Sequence, residues 1–143
     1  MKIIQFIFYV VAEIRIKLFQ NKILKTHTFD IPIISIGNIA MGGTGKTPMA
    51  SWLVEYLLSI GKKPCIVTRG YNRVNRKMVV VNPGDKKSYS VQDLGDEPFS
   101  LWKKHLGVSM VVGKNKIKAI DSVIKLLDCD VVILDDGFQS LYI

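Results

Sequence analysis

The segment Ala40-Met-Gly-Gly-Thr-Gly-Lys-Thr47 limits what this chain can fold into more than any other stretch. An apolar run, Ile31-Pro-Ile-Ile-Ser-Ile36, precedes it and reads as a buried strand with Pro32 near its start. A helical stretch from Lys46 to Ile60 follows, with Pro48 in its first turn and Gly61 closing it. A strand that turns sharply into a helix through glycines is built to wrap an anion. Gly42, Gly43 and Gly45 let backbone N–H groups approach closely, and the helix N-terminus adds roughly half a positive charge. The segment fits the P-loop pattern with Ala40 in place of the first Gly. Ala40, Met41, Gly42, Gly43, Thr44, Gly45, Lys46 and Thr47 are then the expected nucleotide contacts. Lys46 would reach the β- and γ-phosphates, and the Thr47 hydroxyl would ligate Mg²⁺. The plainer alternative is an ordinary Gly-rich turn.

Beyond this loop, strands are expected at Pro64–Thr68, Met78–Val81, Val108–Val112 and Val131–Leu134, and helices at Glu97–His105 and Asn115–Leu127. The alternation predicts an α/β, P-loop NTPase-like domain with a largely parallel sheet flanked by helices. In the helix after the loop, the apolar positions Met49, Trp52, Leu53, Tyr56, Leu57 and Ile60 recur at helical spacing. At 143 residues the chain is one domain's worth, and 48% apolar residues exclude disorder. Cys65 and Cys129 make neither a disulfide scaffold nor a metal site; both read as buried thiols in apolar surroundings.

Two segments are expected: an N-terminal helix over 1–28 and a nucleotide-binding domain over 29–143. Ile3 to Ala12 are apolar except for Gln5, and Glu13, Arg15, Lys17, Lys22 and Lys25 follow. Such a run spans about 15 Å as helix, half of the ~30 Å hydrocarbon core, too short to cross a membrane. Glu13-Ile-Arg-Ile-Lys17 stands where a signal peptide would need small residues. A membrane-surface helix with basic anchors and a helix packed on its own domain both remain open.

Twenty basic against twelve acidic residues leave +8, which calls for an anionic partner without choosing among membrane, nucleotide and nucleic acid. Between Lys62 and Lys87 eight basic residues face one acid, Asp85; this is either a solvated loop surface or a basic rim for a phosphorylated or membrane-bound substrate. After Leu126 there are four acids and no base. An apolar strand ending in Asp135-Asp136 brings carboxylates to the sheet edge beside the phosphate loop, where either would serve as the metal-side acid or cap the turn before Gly137. Gly95-Asp-Glu-Pro98 reads locally as a helix start with Asp96 as cap. In Thr68-Arg-Gly-Tyr71, Arg69 could meet phosphate and Tyr71 could line a pocket, unless this is a surface turn. His27 and His105 lack partners at ligand or triad spacing and read as surface or helix-end histidines.

Taken in order, these pieces resemble the tetraacyldisaccharide 4'-kinase family, the lipid A 4'-kinases. The resemblance rests on Ser35-Ile-Gly-Asn-Ile39, on Gly42-Gly-Thr-Gly-Lys-Thr-Pro48 and on Arg69-Gly-Tyr71 followed by Arg73. Gly95-Asp-Glu-Pro98 and Asp135-Asp-Gly-Phe-Gln139 are its most specific parts, and Val112-Gly-Lys114 is a weaker match. It implies transfer of the γ-phosphate of ATP, with Mg²⁺, to the 4'-hydroxyl of a tetraacylated disaccharide 1-phosphate, the lipid A precursor. The place would be the cytoplasmic face of the inner membrane of a Gram-negative-type bacterium, reached peripherally through the N-terminal helix, with no nucleic-acid partner. By resemblance Asp96 is the base for the acceptor hydroxyl, together with a histidine much later in family members, and Lys46 acts on the transferred phosphate. Glu97 joins Thr47, Asp135 and Asp136 as a metal-side group, and Arg69, Tyr71 and Gln139 point to substrate.

Ser140 stands where the family usually has His, and Thr68 and Asn72 vary the Arg-Gly-Tyr motif. Family members run to more than twice this length, with a further α/β half that holds the late histidine. The expectation is a truncated or split member that binds nucleotide weakly and turns over slowly or not at all. The alternatives are another P-loop small-molecule kinase and a non-catalytic remnant that binds nucleotide or membrane.

Overall fold

The computed structural model describes residues 2–37, 45–85, 88–137, 140, 142 and 143, with the backbone alone at 2–5, 7 and 8. In chain order the elements are α1 (Lys2–Gln20), β1 (Ile33–Ile36), α2 (Lys46–Ser59), β2 (Pro64–Thr68) and β3 (Val79–Val81). Then come α3 (Val91–Leu94), α4 (Asp96–Lys104), β4 (Ser109–Val112), α5 (Lys116–Leu126) and β5 (Val131–Asp135). The chain divides into two compact units, Asp30–Phe138 and Met1–Phe29 with Gln139–Ile143.

The larger unit holds a five-stranded sheet in the order β1-β5-β2-β4-β3. The first four strands in that order run parallel, and β3 joins β4 antiparallel at the edge. This is the largely parallel α/β sheet expected from the alternation of elements. Pro64–Thr68, Ser109–Val112 and Val131–Leu134 are buried throughout, which is why they read as unbroken apolar runs. The connection β1–α2–β2 crosses the sheet in one direction and β4–α5–β5 in the other. Right-handed crossovers therefore place α2 and α5 on opposite faces. Ala50, Val54, Leu57 and Leu101 share a core cluster with Ile66, Met110, Ile133 and Ile36. Val67, Val111, Val132 and Leu134 alternate to the other face, where α5 buries Ala119, Ile120 and Val123. Each fully buried Val, Leu, Ile or Met side chain among them contributes roughly 1.5–3 kcal/mol of transfer free energy.

Three expectations need correction. First, β1, expected to be a buried strand, lies at the sheet edge with Ile34 and Ser35 exposed and only Ile36 buried. The core side of α2 is Ala50, Ser51, Val54 and Leu57; Met49, Trp52, Tyr56 and Ile60 are about half exposed. Apolar residues occupy both sides of this helix, so their spacing could not say which side is buried. On the outer side the rings of Trp52 and Tyr56 stack with centroids 5.6 Å apart. Second, only Cys65 is fully buried; Cys129 is half-buried between Asp128 and Asp130. A hydrogen bond to Cys129 and burial push the Cys65 thiol up, and the same bond brings Cys129 down to about 7. Third, a short helix, α3, was missed; it is closed by Asp93 Oδ2 accepting from the Ser90 backbone N–H at 3.0 Å.

In the smaller unit α1 ends through Asn21 and Lys22, whose N–H groups return to Lys17 and Phe19 carbonyls, with Lys22 at φ 57°. The His27 N–H donates to the Tyr142 carbonyl at 2.8 Å. Phe6, Tyr9, Val11 and Ile14 are all more than half exposed. Among the described residues no helix is long and apolar enough to cross a membrane.

Candidate active site at the carboxyl edge of the sheet

Strand register builds one wall of the site. Ile36 lies opposite Asp135, and Thr68 lies opposite Val112 while following Val67, which pairs with Leu134. The carboxyl ends of β1, β5, β2 and β4 thus form one row. Alternation from Val131 and Ile133 turns Asp135 toward the α2 face, where its Oδ2 accepts from Thr68 Oγ1 at 3.0 Å. Asp136 then adopts φ 57°, a left-handed conformation that Asp tolerates better than most residues. The turn lets the Gly137 N–H donate to the Ile36 carbonyl at 2.9 Å, carrying the chain back beside β1. A Cβ at Gly137 would collide with the Ser35 side chain.

Lys46 opens α2 behind Gly45, whose φ of 81° lets the chain enter the helix. Its Nζ donates to Asp136 Oδ1 at 2.5 Å. That hydrogen bond holds the Lys46 ammonium above its ordinary 10.5, against burial, with Asp135 and Glu97 adding to it. Burial pushes Asp136 up, but the Lys46 hydrogen bond and charge outweigh it and keep the carboxyl below its ordinary 3.8. The Asp136 carbonyl accepts from Lys116 Nζ. Lys116 is buried at the first turn of α5, and burial lowers it below 10.5 despite Asp136 and Asp135.

The opposite wall comes from two motifs packed backbone to backbone. Gly95 sits at φ 91°, ψ 161°, a region essentially closed to other residues. A Cβ there would lie 2.6 Å from the Tyr71 carbonyl oxygen. Gly70, at φ 66°, faces the Leu94 carbonyl at 2.7 Å from the corresponding point. Arg69-Gly-Tyr71 and Gly95-Asp-Glu-Pro98 are therefore two halves of one joint. Between the walls lies a cleft of about 370 Å³, entered by Lys46, Asp135 and Asp136 from the sheet side and by Tyr71, Asp96 and Glu97 from the other. At its base a cavity of about 10 Å³ is lined by Thr47, Thr68, Glu97 and Asp135, among others.

Thus Lys46, Thr47, Tyr71, Asp96, Glu97, Asp135 and Asp136 converge. Asp96 is the first residue of α4 and the cap position is taken by Gly95, so the local reading of Asp96 as the cap is replaced. Arg69 is exposed and lies over the Tyr71 ring at 5.4 Å, outside the residues that line the cleft. Ala40, Met41, Gly42, Gly43, Thr44 and Gln139 lie outside the described residues. His105 does close α4, yet it is buried, with Nε2 2.9 Å from Ser51 Oγ. The sequence does not announce that Thr68 bonds Asp135 or that Lys116 bonds the Asp136 carbonyl at this edge. A lysine opening a helix opposes the helix dipole, and that anomaly was the available signal for Lys116.

Oxygen donors from Thr47, Glu97 and Asp135 around one small cavity suit a magnesium ion. Among the described residues no three or more His, Cys, Asp or Glu side chains are grouped to hold a metal by themselves. Magnesium needs no such group, since it is usually held by one or two carboxylates together with phosphate oxygens and water.

Comparison with known proteins identifies the fold and the family. The chain is 35% identical over 132 residues to the tetraacyldisaccharide 4'-kinase of Desulfotalea psychrophila, covering 92% of this chain and 38% of that protein. It is 40% identical over 116 residues to the enzyme of the same name from Blochmanniella pennsylvanica, covering 80% and 33% respectively. The fold matches the crystal structure of LpxK from Aquifex aeolicus in complex with ATP, with a TM-score of 0.85 and 31% identity, over 96% of this chain and 43% of that one. The chain therefore spans well under half the length of these relatives. Residues 1–143 match the model of one family throughout, and the chain belongs to that family, tetraacyldisaccharide-1-P 4'-kinase.

Proposed function

We propose that this chain supplies the nucleotide-binding and phosphoryl-transfer part of a lipid A 4'-kinase. The substrate pair is ATP and a tetraacyldisaccharide 1-phosphate at the cytoplasmic face of the inner membrane. The observation that carries the reading is Lys46 held 2.5 Å from Asp136 on the sheet side of the cleft that Asp96 and Glu97 enter from the other. Phosphates arriving over Gly45 compete with Asp136 for the Lys46 ammonium, so the ion pair keeps that charge pointed at the site beforehand. Magnesium, when bound, neutralises charge on the β- and γ-phosphates, and Thr47, Glu97 and Asp135 are the side chains to hold it. Asp96, exposed at the start of α4, takes the proton as the acceptor oxygen bonds to phosphorus and the bond from phosphorus to the ADP oxygen breaks. Tyr71 borders the acceptor side. The exposed apolar residues of α1, flanked by Arg15 and Lys17, suit a membrane surface that presents the lipid.

Titrating residues 1–143 with MgATP tests the first part. Lys46→Ala should abolish measurable binding; unchanged affinity would remove the phosphate-loop assignment. With lipid acceptor present, Asp96→Asn should lower turnover by roughly 10²–10⁴-fold while ATP affinity is kept. A fall in affinity alone would make Asp96 a metal or folding residue. The chain spans 38% of the Desulfotalea protein, and we expect slow turnover from residues 1–143 alone. Turnover equal to that of a complete relative would overturn this.

A further inference from the structure

The helices that carry the two halves of the site run side by side. Thr47 and Ala50 of α2 share a cavity lining with Glu97, Pro98 and Leu101 of α4. Further along both helices Ser51 and Glu55 meet Lys104 and His105. Both helices therefore point their N-termini, with Lys46 and Thr47 on one and Asp96 and Glu97 on the other, toward the same end.

At the far end a buried pair, Ser51 and His105, lies between them beneath the exposed side chains of Lys104 and Glu55. Ser51 is 5% exposed and His105 9%. Ser51 Oγ accepts from Lys104 Nζ at 2.7 Å and lies 2.9 Å from His105 Nε2. Glu55 Oε1 stands 3.0 Å from Lys104 Nζ and 3.5 Å from Ser51 Oγ. Ser51 Oγ and His105 Nε2 share a hydrogen bond whose direction follows the tautomer of a neutral imidazole. Burial and the Lys104 charge lower the His105 pKa, against Glu55, which agrees with that state. A hydrogen bond between two buried side chains on different helices resists sliding, because any slip leaves both groups unsatisfied.

We propose that Ser51 and His105 are positioning residues that set the register of α4 along α2, and so hold Glu97 at the Thr47–Asp135 end of the site. The inference rests on the nucleotide-binding reading above. Neither residue touches the cleft; each acts through the helix it locks. Misplacement of a binding group by about 1 Å is enough to lose much of its effect.

The test measures ATP affinity of residues 1–143 with and without Mg²⁺, and takes the ratio. His105→Leu and Ser51→Ala should each lower the Mg²⁺-dependent gain by about tenfold while leaving metal-free ATP affinity, governed by Lys46, unchanged. His105→Gln retains a hydrogen-bonding group near the Nε2 position and should restore most of the gain. The double variant Ser51→Ala/His105→Leu should lose no more than either single change. If the gain is unaffected in both single variants, the register role is overturned. A lowered melting temperature with an unchanged gain overturns it equally, since the pair would then be merely structural. If wild-type chain binds no ATP in either condition, the nucleotide-binding reading fails and the register role falls with it.

Discussion

The two ends of the sheet carry ion pairs of the same length and very different character. At the carboxyl end Lys46–Asp136 spans 2.5 Å with side chains 23% and 30% exposed. At the amino end Lys63–Asp128 also spans 2.5 Å, but its side chains are 60% and 86% exposed. Apart from Gly45, which has open space at the carboxyl end, the glycines divide the same way. Gly70 and Gly95 lie against backbone that leaves no room for a Cβ, whereas Gly61 and Gly84 have nothing within 4 Å. Asp136 adds a non-glycine left-handed residue to the carboxyl end. Constraint is thus concentrated where Asp96, Glu97, Asp135 and Asp136 must converge, and the other end is ordinary surface. Strain of this kind persists only where the surroundings over-determine it, and strained residues cluster at active sites.

The largest effect that tests this contrast is Gly95→Ala. It forces a Cβ into a conformation open almost only to glycine and to within 2.6 Å of the Tyr71 carbonyl. A loss of about 3 kcal/mol is expected, a melting shift on the order of 10 °C. Gly84→Ala, at φ 77° with open space around it, should cost only about 1 kcal/mol. Equal losses in urea unfolding would mean that the joint between Arg69-Gly-Tyr71 and Gly95-Asp-Glu-Pro98 can relax, and the contrast would break.

Much of this was legible in the sequence, for identifiable reasons. Val131–Leu134 is a buried central strand, so its apolar run leaves little doubt about its type, and the acids that end it must emerge at the sheet edge. The approach of the Asp135-Asp136 pair to Lys46 was legible as an apolar strand ending in acids beside the phosphate loop. The α2 face was not legible, because Ala50 and Ser51 are small and the larger residues Trp52 and Tyr56 dominate any periodicity count. Nor was the Ser51–His105 contact, which joins residues 54 apart in sequence and depends on how two helices lie together. Which of the paired acids meets Lys46 depended on the backbone turn at Asp136, a conformation that composition does not announce.

A smaller effect separates the two ion pairs. Asn tolerates the left-handed conformation as well as Asp does, so Asp136→Asn removes charge while leaving the backbone undisturbed. It leaves the Lys46 ammonium partly buried beside a neutral amide, and a loss of about 1–2 kcal/mol at pH 7 is expected. The pH dependence has a definite sign. Asp136 is held below 3.8 in the folded chain, so its contribution is complete above 3.8 and is lost as pH falls through the lower folded value. Lys46 is held above 10.5, so its share is complete below 10.5 and is lost as pH rises through the higher folded value. The gap between wild type and variant in urea midpoints should therefore be flat from mild acid to neutral pH and close in strong acid. A gap that widened below pH 4 would mean that Asp136 is not held down by Lys46.

Asp128→Asn gives the smallest effect and the sharpest control. Its partner Lys63 keeps water on most of its surface, so the pair gains little Coulomb energy and must hold two mobile side chains in one geometry. The fixed part of that corner is elsewhere: the Lys63 N–H donates to Asp130 Oδ2 and the Asp130 N–H to the Lys63 carbonyl, each at 2.9 Å. These backbone-anchored bonds stay in place when Asp128 changes. The expected shift in urea midpoint is close to zero and should shrink further in molar salt, where the screening length falls to about 3 Å. The Asp136→Asn loss should survive the same salt in large part, because its charges are shielded from solvent by α2 and the sheet edge. If both losses disappeared together on adding salt, the carboxyl-end pair would be no more enclosed than the amino-end one, and the ion pair would lose its claim to pre-arrange the Lys46 ammonium.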